Sequence, residues 1–225
     1  MDLGSIHIRL KFPTVNRIVR AFVVGDLLFW GGWGLVGPIF ALFVLDRIVG
    51  ADAITVGVAV AIYWATRAAV QMPVAVYIDR HNGERDDFHA LIFGLILGGV
   101  SALAYLTITT PVGLFAVALV QGVAFGFYSP AWYAIFSRHL DKGSGAFDWA
   151  LDGTGVALVS GASAFIGGAI AQLLGFTALY LVAGGLSFGS AFLLLTVPRV
   201  LFPAPTAVPA TPPPTGGPHL PGGHR

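Results

Sequence analysis

The chain has 225 residues, 56% of them hydrophobic and 10% charged, with a formal net charge of +1. That balance lies outside the range of soluble globular domains and calls for a lipid solvent. It excludes a nucleic-acid partner, which would need a concentrated basic face, and the lack of cysteine excludes disulfides and thiolate chemistry in this chain.

Residues 1–18 form a polar segment carrying Arg9, Lys11 and Arg17, with Arg20 at the entrance to the first apolar run. A cytoplasmic lead-in is expected here. A cleaved signal is not, because the apolar stretch that follows is far longer than an h-region and no small-residue cleavage site closes it. Residues 19–198 form the membrane domain, with six apolar segments long enough to cross a bilayer at 19–45, 54–78, 88–108, 111–137, 149–174 and 176–197. Without period-two alternation these are predicted helices, since only helices satisfy their own backbone at such length in lipid. Thr109-Thr110 and Gly175 leave almost no loop between neighbours. With six spans drawn, Arg9, Lys11, Arg17, Arg20, Arg80, Arg85, Arg138, Lys142, Arg199 and Arg225 fall on one side and Arg47 on the other. The positive-inside rule then places both termini in the cytoplasm. Residues 199–225 are predicted to be a disordered Pro/Gly-rich cytoplasmic tail, since nine of the fourteen prolines fall from Pro198 onward.

A weak internal repeat runs through the spans: Gly34 to Phe40 (GLVGPIF) in the first resembles Gly126 to Trp132 (GFYSPAW) in the fourth. The first span runs outward and the fourth inward, so the repeat implies two inverted three-helix units, 19–108 and 111–197. Pro38 and Pro130 would each free a backbone carbonyl and permit bending at comparable depth. Gly94/Gly98, Gly122/Gly126 and Gly185/Gly189 are GxxxG pairs, and Gly153/Ala157/Gly161 and Ser163/Gly167 are small-xxx-small patterns, all expected at helix contacts.

Charges inside spans are rare and by default functional. Arg67 lies near the middle of the second span and Asp26 about two turns into the first, so the two are expected to pair or to share a water-filled cavity. Asp152, near the start of the fifth span, is read as an acid favoured by a helix N-terminus. Phe29, Trp30, Trp33, Tyr63, Trp64, Tyr128, Trp132 and Tyr133 concentrate in the first, second and fourth spans. From this set the candidates for substrate or coupling contacts are Asp26, Trp33, Tyr63, Arg67, Gln71, Gln121 and Tyr128. Enzymatic chemistry has no support. Gly185-Leu-Ser187-Phe-Gly189 matches GxSxG, but that motif needs a strand-to-helix elbow and a histidine base, and no His residue lies within a span except His89 at the very edge of the third. No metal or nucleotide motif is present, so no metal and no cofactor is expected.

The loop after the second span carries the most specific resemblance. It reads Ala75-Val-Tyr-Ile-Asp79-Arg80-His-Asn-Gly83-Glu-Arg85. With Gln121-Gly122 and Gly167-Gly168, it resembles the amino-terminal six-helix half of a major facilitator superfamily transporter over residues 17–197. Ala75 replaces the family's first Gly, one extra residue precedes Gly83, and Ala118 stands where the second motif has Arg. The resemblance implies an all-α membrane protein that forms half of a major-facilitator-type fold in the plasma (inner) membrane. It implies alternating-access transport of an unidentified small solute, by a homodimer of six-helix halves. Asp79, Arg80, Gly83 and Arg85 would then form a cytoplasmic latch, Asp79 bridging to the other half. From charge alone, Asp79 can pair with Arg80 or Arg85, or face a helix N-terminus. The alternatives are a non-transporting six-helix scaffold or interaction protein, or a truncated half of a twelve-helix transporter.

Overall fold

The structure, a computed structural model, describes residues 13–80 and 83–197. Most of the expected lead-in, the whole tail at 199–225, and His81 and Asn82 of the loop motif lie outside the described residues. The helices are α1 (Arg17–Val36), α2 (Phe40–Arg47), α3 (Ala53–Arg80), α4 (Glu84–Ala104), α5 (Pro111–Arg138) and α6 (Gly145–Leu195), with a 3-10 turn at Gly37–Ile39 joining α1 to α2. No strand occurs among the described residues.

Local chemistry sets the helix ends. The Asn16 side chain accepts from the Val19 N–H at 2.8 Å and caps α1. Before α3, Asp52 Oδ1 accepts from both the N–H and the hydroxyl of Thr55 at 2.8 Å, while the Asp52 N–H donates back to Thr55 Oγ1 at 3.3 Å. The Thr55 N–H in this reciprocal cap holds the Asp52 carboxyl below its usual range. Thr110 caps α5 with Pro111 at its first position, where the missing N–H is no loss. Pro38 lies in the 3-10 turn that interrupts the first span, whereas Pro130 and Pro73 sit inside continuous helices.

Among the described residues, five helical stretches are long and apolar enough to cross a membrane, against the six expected. The difference lies in α6, which covers both the fifth and the sixth expected spans and contains non-helical Gly175 at φ 83° and ψ 172°. Only glycine enters that region at low cost. The arms on either side of Gly175 run alongside α1 in opposite senses. Along the first arm, Leu27 meets Gly155, Gly31 meets Val159 and Leu35 meets Gly167. Along the second, Gly25 meets Leu194 and Gly32 meets Ala183, and the Ser190 hydroxyl donates to the Gly25 carbonyl at 2.7 Å.

α1 is thus flanked by both arms of α6, while α5 is flanked by α3 and α4, and α4 also touches α6. Glycine sets the separation at these contacts. A Cβ at Gly94 of α4 would lie 2.8 Å from the Ala124 carbonyl oxygen, and one at Gly122 of α5 would lie 2.7 Å from the Tyr63 carbonyl oxygen. Gly126 and Gly167 are as tightly enclosed, Gly98 less so with the Phe29 ring 3.0 Å from such a Cβ, but Gly153, Gly161, Gly185 and Gly189 face open space. The expected packing role of the Gly185/Gly189 pair is therefore corrected: the buried residue of that string is Ser187, whose hydroxyl donates to the Ala183 carbonyl at 3.1 Å.

Gly94→Ala should lose about 1–3 kcal/mol of stability through overpacking against α5 backbone. Gly175→Ala should lose a similar amount, about 1–3 kcal/mol, from backbone strain alone. Gly185→Ala should stay within about 0.5 kcal/mol of the parent in unfolding measured in detergent micelles.

Candidate functional site

Two cavities open between α1, α3, α5 and the first arm of α6, with the Trp30 side chain lining both. The first, of about 230 Å³, is bounded by Trp33, Tyr63, Trp64, Tyr105, Gln121 and Phe125 among others. Its walls are largely aromatic because one face of α1, at Trp30 and Trp33, meets Phe125 edge-on, and Tyr63 approaches the same ring at 5.6 Å between centroids. Gln121 Oε1 accepts from the Tyr105 hydroxyl at 2.7 Å, and the buried Trp33 indole N–H has no partner. Three of the sequence candidates, Trp33, Tyr63 and Gln121, come together here.

Arg67 lines neither cavity, but its two hydrogen-bond partners do, Tyr63 the first and Ser129 the second. It donates to the Tyr63 hydroxyl at 3.1 Å and to Ser129 Oγ at 2.9 Å, and its guanidinium lies 5.1 Å from the Trp64 ring centre and 5.5 Å from that of Phe125. Neutral acceptors and ring faces therefore solvate the charge, a workable arrangement for a cation inside a span. The expected Asp26–Arg67 ion pair does not form. Arg67 donates to Tyr63 and Ser129 instead, and Asp26 Oδ1 has no hydrogen-bond partner.

The second cavity, of about 170 Å³, holds Asp26 and Tyr128 from the candidate set, together with Ser129, Trp132, Tyr133 and Asp152. Asp26 is buried and within electrostatic reach of Asp152, which lines the same cavity. The reading of Asp152 as an acid at a helix N-terminus is corrected: α6 starts at Gly145, Asp148 occupies its first turn, and Asp152 lies a turn deeper, facing the cavity. Asp26 and Asp152 sit at matching depth because α1 and the first arm run parallel, with Leu27 against Gly155. Gln71 joins neither cavity; it lines a separate cleft with Asp79, Pro130, Tyr133 and Trp149.

The loop motif lies at the end of the bundle where α1, α4 and α6 start and α3 and α5 finish. Asp79 and Arg80 are exposed, Gly83 has extended backbone (φ −119°, ψ 99°) before α4, and Asp79 shares a cleft with Glu84 and Arg138. The ties at this end use residues the sequence reading passed over. Asp87 is fully buried and meets Arg138 Nη2 at 2.6 Å, and His139 Nε2 lies 3.7 Å from Glu84. The Asn16 side-chain amide donates to the His139 carbonyl at 2.8 Å and to Asp141 Oδ1 at 3.0 Å, and the Asp141 N–H donates to Asp148 at 2.8 Å. The ends of α1, α4, α5 and α6 are joined in this way, and α3 is absent from these bonds.

A family model described as Major Facilitator Superfamily matches residues 22–221. No curated relative and no solved structure matches the chain.

Removing Arg138 leaves the Asp87 carboxylate buried without its cation. Arg138→Ala should cost on the order of 3 kcal/mol. Adding Asp87→Asn should recover more than half of that loss, read from unfolding transitions of the single and double variants.

Proposed function

The chain belongs to the Major Facilitator Superfamily, a family of transporters, and on that premise we propose that it moves a small solute across a membrane by alternating access. The observation that carries this reading is Arg67, a charge held within a span and solvated by neutral groups, of which Tyr63 lines the first cavity and Ser129 the second. Such a residue is expensive in a bilayer and fits a solute path.

Six crossings, arranged as two inverted three-helix units, belong to the same proposal. Gly175 supports the count, because the arms it separates lie antiparallel against α1. The contacts support the inversion. Exchanging the first span with the fourth, the second with the fifth and the third with the sixth turns the contacts of α1 with both α6 arms into those of α5 with α3 and α4. Gly34, packed on Ser160, corresponds to Gly126, packed on Val70, and Gly32 against the Ala183 carbonyl corresponds to Ala124, whose carbonyl meets Gly94.

A second copy in the same orientation would supply the other half. Within α3 only Ala59 and Ile78 are buried, and a helix carrying Arg67 and Gln71 is better covered by protein than by lipid. Asp79, Arg80, Gly83 and Arg85 would latch onto that copy at the cytoplasmic surface of the plasma membrane, where the positive-inside rule puts the basic end.

Reconstituted protein should take up at least one member of a panel of labelled small cations, anions and neutral solutes, or move protons, and should run as a dimer in mass measurements. Arg67→Leu should lower flux about tenfold or more while the thermal transition is retained. A monomer that seals liposomes and passes nothing would support a non-transporting scaffold instead.

A further inference from the structure

We propose that the cavity between Asp26 and Asp152 binds a small organic ammonium ion. This names a solute class for the transport reading and rests on that reading only in placing the cavity on the solute path.

Both carboxylates are more than nine-tenths buried, at 4% and 7% exposed, and Oδ1 of each has no hydrogen-bond partner. Two acids within reach of one another in a low dielectric are stable together when a proton or a cation stands between them. The chain's own nearby cation does not fill that place, since Arg67 is committed to Tyr63, Ser129 and two ring faces. The other titratable groups lining the cavity are Tyr128 and Tyr133 of α5.

The remaining walls select the kind of cation. Tyr128 and Trp132, each only 3% exposed, line the same cavity, and the Tyr128 hydroxyl and the Trp132 indole N–H are also without partners. They offer hydrogen bonds to an oxygen carried by the ligand, as well as ring faces that attract an ammonium group. A hard metal ion would want six or more oxygen ligands, and no cluster of three or more metal-binding side chains occurs among the described residues. A proton alone needs no such room: the cavity holds about 170 Å³, many times the roughly 10–15 Å³ that one water requires.

The test is calorimetric titration of the full chain in lipid nanodiscs with 2-phenoxyethylammonium, which carries both a cation and an ether oxygen. The neutral match 2-phenoxyethanol is the control. The ammonium should bind, 2-phenoxyethanol should neither bind nor compete, and Asp26→Asn and Asp152→Asn should each weaken binding about tenfold or more. Infrared difference spectra of the unmutated protein avoid any dependence on how the variants fold. There the ammonium, and not the alcohol, should convert a protonated carboxyl band to carboxylate. Absence of binding, equal binding of the two probes, or carboxyl bands that respond to pH and ignore the ammonium would overturn the assignment, the last leaving a proton site only. Ammonium binding without any flux would count against transport and leave the cation site standing. Flux of other solutes with no ammonium binding would do the reverse.

Discussion

Lipid tails are as apolar as leucine, so nothing in a bilayer pushes two apolar helices together, and this chain depends on backbone approach at a few small residues. Gly94 lets α4 lie on the Ala124–Tyr128 turn of α5, and Gly167 lets the first arm of α6 lie on Leu35. Packing density is then high where backbones touch and low where the large rings of α1 and α5 hold helices apart. The two cavities are the spaces left beside those rings. Cavity placement is thus a by-product of which helix faces carry Gly and which carry Trp, Tyr and Phe.

Polar groups inside the bundle follow two different rules. Arg67 is bonded to neutral oxygens and lies over rings, so its charge is balanced without a counter-ion. Asp26 and Asp152 keep unpartnered oxygens, a state that is costly in a folded protein. At the basic end Asp87 has the Arg138 cation beside it and Asn16 bonds Asp141, tying helix ends together, although Asp87 Oδ1 and Asp148 Oδ1 also lack hydrogen-bond partners.

Hydropathy made the spans legible, because a bilayer imposes length and composition on every crossing. The reversal at Gly175 was legible as a short turn, yet as backbone it is a single residue of unusual φ and ψ in an otherwise unbroken helix. Trp33, Tyr63 and Gln121 were legible as a group because polar and aromatic side chains in spans are rare enough to stand out. The partnership of Asp26 was not. Asp152 lies 126 positions away, and its register depends on Gly145 starting the helix earlier than hydropathy indicated. Asp87 was hidden for a related reason: in a charge-rich loop, sequence does not distinguish the one carboxylate that turns inward from its solvated neighbours. Glycine spacing identified contact faces at Gly94 and Gly122 but misassigned Gly185 and Gly189, since the motif marks a stripe of small residues and not what lies opposite it.

Asn16 is held by His139 and Asp141, more than 120 positions further along the chain. During synthesis the first helix therefore enters the membrane long before its anchoring partners exist, and it must persist on its own hydropathy and its Asn16 cap until the fifth helix has been made. The packing partner of α1, α6, also lies later in the chain, and a ribosome stalled before residue 139 would leave α1 without these partners.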